Sequence, residues 1–261
     1  MPTTIPESPR PLASRLAIVT GASRRQGIGA AICRALAAQG APILFTHWRG
    51  FDRTQPHGAD EDGPPALLAE LRALGVPAEA LEADLALPQG PDVVLAAAER
   101  LGGPSILVNN AAHSTITPYT ILDAAALDAH YAVNVRAMAL LCAGFARRYP
   151  GGPGGRIINL TSGQGLTPMP DELAYAATKG AVEALTLSLS QAVAPKMITV
   201  NAVDPGPTDT GWMPPGLKAD LLRHSAFGQL GTPQDAARLV AYLASDAAQW
   251  ITGQVIRSRG A

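Results

Sequence analysis

The chain has 261 residues, of which 47% are hydrophobic and 16% are charged, and its formal net charge is −1. This length suits one large α/β domain with a substantial core. The near-neutral charge excludes a bulk attraction for nucleic acid or for an anionic membrane surface. Cys33 and Cys142 lie far apart in apolar helical patterns, which favours two buried free thiols over a disulfide. No Cys/His cluster has the spacing of metal ligands, so we expect no metal site.

The first residues, MPTTIPESPRPLASR, contain several prolines and no apolar segment. This pattern differs from that of a signal peptide, and no apolar run further along the chain approaches membrane-spanning length. We therefore expect a cytoplasmic protein without a membrane partner, in which residues 1–14 form a flexible tail.

Strand-like and helix-like segments alternate along the rest of the chain. The strand candidates are RLAIVT, PILFTH, AEALEADL, SILVNNA, GRIINLTS, ITVNAVDPG and GQVIRSRG, and the helix candidates cover residues 27–40, 66–75, 89–101, 124–148, 172–193 and 233–245. Runs of Ile, Leu and Val without polar alternation are typical of strands buried on both faces. The alternation predicts a single doubly wound α/β domain over residues 1–261, with a seven-stranded parallel sheet and helices on both faces. Ligands bind such sheets beyond the carboxyl ends of the strands.

A glycine-rich stretch, TGASRRQGIGAA, leaves the first strand candidate and opens the first helix. Gly21, Gly27 and Gly29 lie where a tight turn and the close approach of a pyrophosphate require a missing side chain. Their spacing is not GxGxxG, and glycine-rich turns also occur for purely structural reasons. The position between a strand and an amphipathic helix favours a phosphate-binding loop.

The segment YAATK places Tyr175 and Lys179 one helical turn apart, on the same side of a helix. Alone, such a pair is more often an amphipathic surface pair. A carbonyl that accepts hydride, however, needs a proton from a positioned acid. An unperturbed tyrosine, with a pKa of about 10, exchanges protons poorly near neutrality. A neighbouring ammonium is expected to lower that pKa, so the pair predicts an acid/base catalyst.

Taken in chain order, the motifs resemble those of the short-chain dehydrogenase/reductase family, over residues 16–260. They are TGASRRQGIG, EADL, NNAA, YAVNVRA, NLTS, YAATK, DPGPTDT and YLASDAAQWITGQVI. The resemblance is to the branch of 3-oxoacyl-acyl-carrier-protein reductases. It implies a Rossmann-type fold, a nicotinamide cofactor, a small-molecule carbonyl or alcohol substrate, and a homodimer or homotetramer that associates through residues 124–148 and 172–193.

The resemblance also implies roles for individual residues. Asn134 corresponds to a residue that holds a water for proton relay, Ser162 to a donor to the developing oxyanion, and Tyr175 to the general acid/base. Lys179 corresponds to the residue that also binds the nicotinamide ribose. The implied cofactor contacts are Gly21, Ser23, Arg24, Arg25, Gly27, Ile28, Gly29, His47, Arg49, Asp84, Leu85, Asn110, Ala111, Ala112, Tyr175, Lys179, Pro205, Gly206, Thr208 and Thr210.

Three features depart from the family pattern. The glycine loop is two residues longer than usual, and Asp204 precedes the Pro-Gly pair where a small or amide residue is commoner. The chain ends in RSRGA, where the family usually has an acidic residue and a glycine pair. The last difference casts doubt on the usual C-terminal contacts between subunits.

The choice of cofactor depends on the end of the second strand. NAD enzymes usually place an acidic residue there for the ribose hydroxyls, whereas this chain has His47. Arg24, Arg25 and Arg49 are nearby in the sequence, and arginine pairs well with phosphate. We therefore predict NADP(H), with NAD(H) possible; the alternative is that these arginines merely face solvent.

The sequence indicates less about the substrate than about the cofactor. Residues 206–231 fall where the family has a mobile substrate lid, and its apolar side chains either line a pocket or pack the lid onto the domain. The sequence does not choose among an acyl thioester, a sugar, a steroid and a small ketone. Enoyl reduction is disfavoured because enoyl reductases of this fold space tyrosine and lysine more widely. The rivals are a non-catalytic dinucleotide sensor or scaffold and an NAD-dependent alcohol or sugar dehydrogenase. The loop over residues 50–65 has no assigned role, although it follows the second strand and could fold over the adenosine end of the cofactor.

Overall fold

A sheet of seven parallel strands forms the centre of the protein, seen in a computed structural model that describes residues 10–55 and 58–260. The strands are β1 (Ala17–Val19), β2 (Ile43–His47), β3 (Ala78–Glu82), β4 (Ile106–Asn109), β5 (Gly155–Leu160), β6 (Ile198–Asp204) and β7 (Val255–Arg257). Their spatial order is β3-β2-β1-β4-β5-β6-β7, and every neighbouring pair is parallel. The predicted fold class is therefore confirmed.

The helices follow the strands in alternation, as the sequence predicts. They are α1 (Ile28–Ala38), α2 (Arg49–Asp52), α3 (Gly63–Ala73), α4 (Gly90–Arg100), α5 (Ala124–Tyr131), α6 (Met138–Arg148), α7 (Leu173–Ala192), α8 (Pro215–His224) and α9 (Pro233–Ala244). Two of them, α2 and α8, lie in segments that were expected to be loop or lid. The expected helix over residues 124–148 is interrupted, because π-helical turns over Ala132–Ala137 separate α5 from α6.

Both faces of the sheet are covered. Ala17 and Val19 of β1 contact the core that α1, α3 and α9 close, whereas Leu16 and Ile18 face the core formed with α4, α6 and α7. Successive residues of a strand point to opposite faces. A strand covered on both sides therefore shows no polar alternation, which is the pattern that the sequence displays.

The N-terminal segment differs from the expected flexible tail in its described part. Residues 11–14 form turns, Leu12 is fully buried in the core beside α1, and its amide donates to the carbonyl oxygen of Gln39 at 3.0 Å. Residues 1–9 of the predicted tail lie outside the described residues.

Cys33 and Cys142 are buried and free, as expected.

The order of the strands places a crevice between β1 and β4. From β1 the chain builds outward to β2 and β3, and then returns to add β4 on the opposite side of β1. Ligands of doubly wound sheets bind at this switch point, beyond the carboxyl ends of the strands. Among the described residues, no helix is long and apolar enough to cross a membrane, and no group of three or more His, Cys, Asp or Glu side chains is placed to hold a metal ion.

Candidate active site

The loops that follow β1 and β4 are tied together at the crevice. The amide nitrogen Nδ2 of Asn110 donates to the carbonyl oxygens of Thr20 and Gly21, each at 2.9 Å. The hydroxyl of Thr20 accepts hydrogen bonds from the backbone amides of Asn110 at 3.0 Å and Ala111 at 3.1 Å. Gly21 has φ of 72°, and a Cβ there would lie 2.6 Å from the Cα of Ala111. Only glycine satisfies both constraints.

The N-terminus of α1 is suited to a phosphate. Its N-cap residue is Gly27, which provides no side-chain cap, and its first turn contains no acidic residue. The backbone N–H groups of the first turn therefore remain without intrahelical partners, and the helix dipole favours an anion there. A Cβ at Gly29 would lie 2.6 Å from the carbonyl oxygen of Gly21, so the helix packs directly onto the turn. This helix end thus has the features of an anion-binding site, and pyrophosphate binding there stays a prediction.

A cavity of about 660 Å³ opens beside this loop at the switch point. Its size is in the range of small-molecule and cofactor sites. It brings together the predicted residues Gly21, Ser23, Arg24, Gly27, Asp84, Leu85, Asn110, Ala111 and Ala112. The other predicted cofactor contacts do not line it: Arg25, Ile28, Gly29, His47, Arg49, Tyr175, Lys179, Pro205, Gly206, Thr208 and Thr210.

Sequence reasoning missed a part of the cavity wall that follows β2. Residues 48–54, which include α2, contribute Trp48 and Phe51. The Trp48 amide donates to the hydroxyl of Ser23 at 3.0 Å, and the Phe51 ring lies 4.7 Å from the ring of His113 on the opposite wall. Two aromatic residues directly after a strand end were the signal that could have identified this wall.

The three arginines expected to bind phosphate have different surroundings. Arg24 lines the cavity, and its Nη2 donates to the carbonyl oxygen of Thr210 at 2.9 Å. Arg25 forms an ion pair with Glu70. Arg49 lies 3.3 Å from a carboxylate oxygen of Glu61 and 3.6 Å from one of Glu82. Among the described residues, only Arg24 of the three has no carboxylate partner.

His47 occupies the end of β2, where an acidic residue is usual in NAD enzymes. It is buried, and this burial lowers the pKa of its imidazole below the ordinary value. The ring is therefore neutral at pH 7, and the strand end carries no negative charge from this residue.

The predicted catalytic residues meet beyond the ends of β4 and β5. Tyr175 lies in the first turn of α7, and the side chain of Ser162, which follows β5, is near enough to its hydroxyl to oppose the rise in the Tyr175 pKa. The Nζ atom of Lys179 lies 5.4 Å from the centroid of the Tyr175 ring and donates to the carbonyl oxygen of Leu160 at 2.7 Å. The structure therefore brings Ser162, Tyr175 and Lys179 together.

The ionisation of this pair differs from the expectation. Burial raises the pKa of Tyr175 to about 12, the hydrogen bond from Ser162 opposes the increase, and the carboxylates of Glu172 and Asp204 add to it. Burial also lowers the pKa of Lys179 to about 8. The prediction that Lys179 brings the Tyr175 pKa below its ordinary value is wrong in this structure, because desolvation of the phenolate dominates.

Asn134 lies in the π-helical turns and links the cavity to α7. Its side chain accepts from the His113 amide at 2.7 Å, and donates to the His113 carbonyl oxygen at 2.8 Å and to the hydroxyl of Thr178 at 3.0 Å. Thr178 in turn donates to the carbonyl oxygen of Tyr175 at 2.8 Å. Because His113 lines the cavity, this network fixes the cavity wall relative to the turn that carries Tyr175. A water relay through Asn134 stays a prediction.

The Pro-Gly segment after β6 reaches toward the glycine loop. Gly206 has φ of 65°, and its amide donates to the carboxylate of Asp204 at 2.9 Å. The hydroxyl of Thr208, a buried residue, donates to the carbonyl oxygen of Pro205 at 3.1 Å. The Thr210 carbonyl, two residues further on, accepts the hydrogen bond from Arg24. This contact joins the segment to the wall of the cavity.

Fold and site together define the chain as an oxidoreductase domain with a dinucleotide-type cleft. A family model described as "Enoyl-(Acyl carrier protein) reductase" matches residues 21–260. The oxidoreductase YjdA of Bacillus subtilis (strain 168) is 50% identical over 249 residues, which are 94% of this chain and 96% of that one. The chain belongs to the short-chain dehydrogenase/reductase family, and the predicted resemblance is confirmed.

Two further relatives bear on the chemistry. The 3-oxoacyl-[acyl-carrier-protein] reductase FabG of Pseudomonas aeruginosa is 33% identical over 256 residues, which cover 95% of this chain and 97% of that one. A short-chain dehydrogenase from Burkholderia cenocepacia, solved in complex with NADP, superimposes with a TM-score of 0.86. It is 36% identical, and the match covers 96% of this chain and 98% of that chain.

Proposed function

We propose that the protein is an NADP(H)-dependent reductase that converts a carbonyl compound to an alcohol, with Tyr175 as the proton donor. The observation that carries the proposal is the grouping of Ser162, Tyr175 and Lys179, with the Lys179 ammonium 5.4 Å from the centroid of the Tyr175 ring. A module that only senses or scaffolds a dinucleotide needs no such group of proton donors, so this geometry favours the enzyme over the sensor.

The raised pKa of Tyr175 is consistent with reduction. With a pKa of about 12, the phenol keeps its proton at pH 7 and can give it to the more basic alkoxide. The Ser162 hydroxyl donates to the same oxygen and holds the substrate carbonyl in place. Lys179, with a pKa of about 8, remains cationic at pH 7 and stabilises the phenolate that forms. When bound, the nicotinamide supplies the hydride.

Three features support NADP(H) over NAD(H). The end of β2 carries a neutral histidine instead of a carboxylate, and Arg24 has a guanidinium free of carboxylate partners among the described residues. Ser23 lines the same cavity as Arg24. We assign the 2′-phosphate to Arg24 and Ser23, because Arg25 and Arg49 already pair with carboxylates. The relative from Burkholderia cenocepacia was solved with NADP, which supports the choice of NADP(H) but does not bear on the residues that bind its 2′-phosphate.

The wall formed by residues 48–54 gives the previously unassigned loop a role. Trp48 and Phe51 line the same cavity as Asp84, and the family resemblance implies that Asp84 lies near the adenine. Aromatic side chains supply a large contact area to a flat base at low entropic cost. We propose that this wall covers the adenosine half of the cofactor.

The substrate is proposed to be a carbonyl compound with an apolar body. Residues 206–231 form the proposed lid, and its exposed apolar side chains are Trp212, Leu217, Leu222 and Phe227. The family model is described as an enoyl reductase, whereas the compact Tyr175–Lys179 spacing and the relative FabG favour reduction of a 3-oxo group. A 3-oxoacyl thioester is therefore our first candidate.

A coupled assay tests the proposal. NADPH and NADH are each offered with acetoacetyl thioester, crotonyl thioester and a panel of aldehydes and ketones, and cofactor oxidation is followed. We expect turnover with NADPH and the 3-oxo compound, and little with the crotonyl thioester. Preferential use of NADH would favour the NAD-dependent dehydrogenase. Cofactor binding without oxidation across the panel would favour the sensor.

A homodimer or homotetramer is also proposed. Exposed apolar side chains on α5, α6 and α7 include Leu127, Leu140 and Leu187. Burying them between copies of the chain would remove apolar surface from water. Light scattering after size-exclusion chromatography measures the assembly directly, and a monomer would refute it. The cytoplasmic location stays a prediction.

A further inference from the structure

Two of the departures from the family pattern meet in space. The Nη1 atom of Arg259, in the RSRGA ending, lies 3.3 Å from the carboxylate oxygen Oδ2 of Asp204. The other oxygen, Oδ1, accepts the Gly206 amide at 2.9 Å. The carboxylate side chain is 1% exposed and that of Arg259 is 22% exposed. A buried charge requires a partner, and Arg259 provides it from a position 55 residues further along the chain.

Strand pairing explains how the tail reaches this point. Asp204, the last residue of β6, lies opposite Arg257 of β7. The amide of Ser258 donates to the Asp204 carbonyl oxygen at 2.8 Å and extends the pairing by one residue. Arg259 follows Ser258 directly, so its side chain lies at the carboxyl end of the sheet, where the predicted catalytic residues lie.

The Arg259 side chain fills the space between two segments of the site. A Cβ added at Gly163 would overlap its guanidinium, and a Cβ added at Gly206 would lie 2.9 Å from its Cγ. Gly163 follows Ser162 directly, and Gly206 belongs to the Pro205–Gly206 turn. The side chain is therefore packed against both backbones, and at Gly206, with φ of 65°, a larger residue would meet the Cα and Cβ of Arg259.

We propose that Asp204 and Arg259 form a positioning pair, through which the C-terminal tail fixes the Ser162 loop against the Pro205–Gly206 turn. Neither residue touches the reacting atoms. The pair instead holds the Ser162 hydroxyl in position beside the Tyr175 phenol, and it holds the Pro205–Gly206 turn against the Ser162 loop. The catalytic consequence rests on the proposed function, whereas the ion pair itself does not.

Arg259 contributes both a charge and a volume to this contact. Methionine in place of Arg259 removes the cation and leaves the Asp204 carboxylate buried without it, which is strongly unfavourable. It also leaves space behind the Ser162 loop. A displacement of a catalytic group by about 1 Å can lower a rate about 100-fold. Combining Asp204→Asn with Arg259→Met removes the unpaired charge but not the packing defect.

The test compares Arg259→Met, Asp204→Asn and the double variant, with Arg257→Met as the matched control. Arg257 lies two residues earlier on the same tail and makes no ion pair within the described part of the chain. We expect Arg259→Met to lower kcat about 10- to 100-fold. The Kd for NADPH, measured by fluorescence, should change by less than about threefold, because the phosphate loop dominates it. Arg257→Met should match the wild type in both kcat and the Kd for NADPH.

Urea unfolding provides a readout that does not depend on activity. The two single variants should each lower the unfolding midpoint, and the double variant should lower it by less than the sum of the two, because the residues interact. Equal kcat values for Arg259→Met and Arg257→Met in an active enzyme would overturn the positioning role. Additive effects on unfolding would overturn the ion pair, even if the wild type reduced no carbonyl and the proposed function failed.

Discussion

The Nζ atom of Lys179 donates a hydrogen bond to the Leu160 carbonyl oxygen at 2.7 Å and lies 5.4 Å from the centroid of the Tyr175 ring. Leu160 is the last residue of β5, and Ser162 follows it closely. This bond therefore joins the start of α7 to the strand end that carries Ser162. It also holds a buried cation beside a partly buried phenol, with no carboxylate paired to that cation in the described residues.

The pH dependence of reduction should report the ionisation of Lys179. Its pKa is lowered to about 8, so the side chain loses its charge as the pH rises through that value, while Tyr175 stays protonated. The cation stabilises the phenolate formed in reduction. We expect the single-turnover rate of NADPH oxidation to be constant from about pH 6 to 7 and to fall above about pH 8. A rate that stays constant to about pH 10 would contradict this role.

Arg24→Gln should weaken NADPH binding and leave NADH binding nearly unchanged. A hydrogen bond to a charged group contributes about 1.5–3 kcal/mol, which corresponds to an increase of about 10- to 100-fold in Kd. Fluorescence titration with each cofactor measures the difference. Arg25→Gln is the matched control, because Arg25 is already paired with Glu70. An equal increase in the Kd for NADPH in Arg24→Gln and Arg25→Gln would argue against the assignment of the 2′-phosphate. An equal increase in the Kd for NADPH and NADH in Arg24→Gln would do the same.

Substitution of two phenylalanines should distinguish effects on cofactor binding from effects on substrate binding. Phe51→Ala removes a ring from the cavity wall and should raise the Kd for NADPH about fivefold, from about 1 kcal/mol of aromatic contact. Phe227→Ala, in the proposed lid, should leave that Kd unchanged and raise the KM of the carbonyl substrate. The assigned roles of the wall and the lid would be refuted if Phe51→Ala changed only the KM and Phe227→Ala only the Kd for NADPH. They would also be refuted if neither substitution had an effect.

Gly21→Ala should destabilise the folded protein. The substitution places a Cβ 2.6 Å from the Cα of Ala111 at a residue with φ of 72°. Overpacking costs about 1–3 kcal/mol, and the positive φ adds strain. Gly216→Ala is the control, because a Cβ there meets nothing within 4 Å and the residue lies in α8. Urea unfolding measures both variants. Equal stability of the two would show that the contact between the β1 and β4 loops is looser than described.

Regular features of the sequence predicted most of the fold. The apolar strand Ile106–Asn109 and the glycine turn after β1 were identified because burial and positive φ impose local requirements on residue type. The four-residue helix Arg49–Asp52 was missed, since so short an element has no periodicity to detect. The cavity wall formed by Trp48 and Phe51 was missed with it.

Features that depend on three-dimensional surroundings could not be predicted from the sequence. The helical spacing of Tyr175 and Lys179 correctly placed the two side chains together, but the direction of the Tyr175 pKa depends on burial, which spacing does not reveal. Asp204 and Arg259 were each recognised as unusual. Only the pairing of β6 with β7 shows that they belong to the same contact.

Tyr175→Phe tests the central claim most directly. The variant lacks only the phenolic hydroxyl, so it should bind NADPH with unchanged Kd while kcat for the carbonyl substrate falls by about 10²- to 10⁴-fold, the usual contribution of a positioned acid. Tyr242→Phe, at an exposed position of α9, is the matched control and should retain full activity. Tyr175→Phe with wild-type kcat and unaltered NADPH binding would contradict the account.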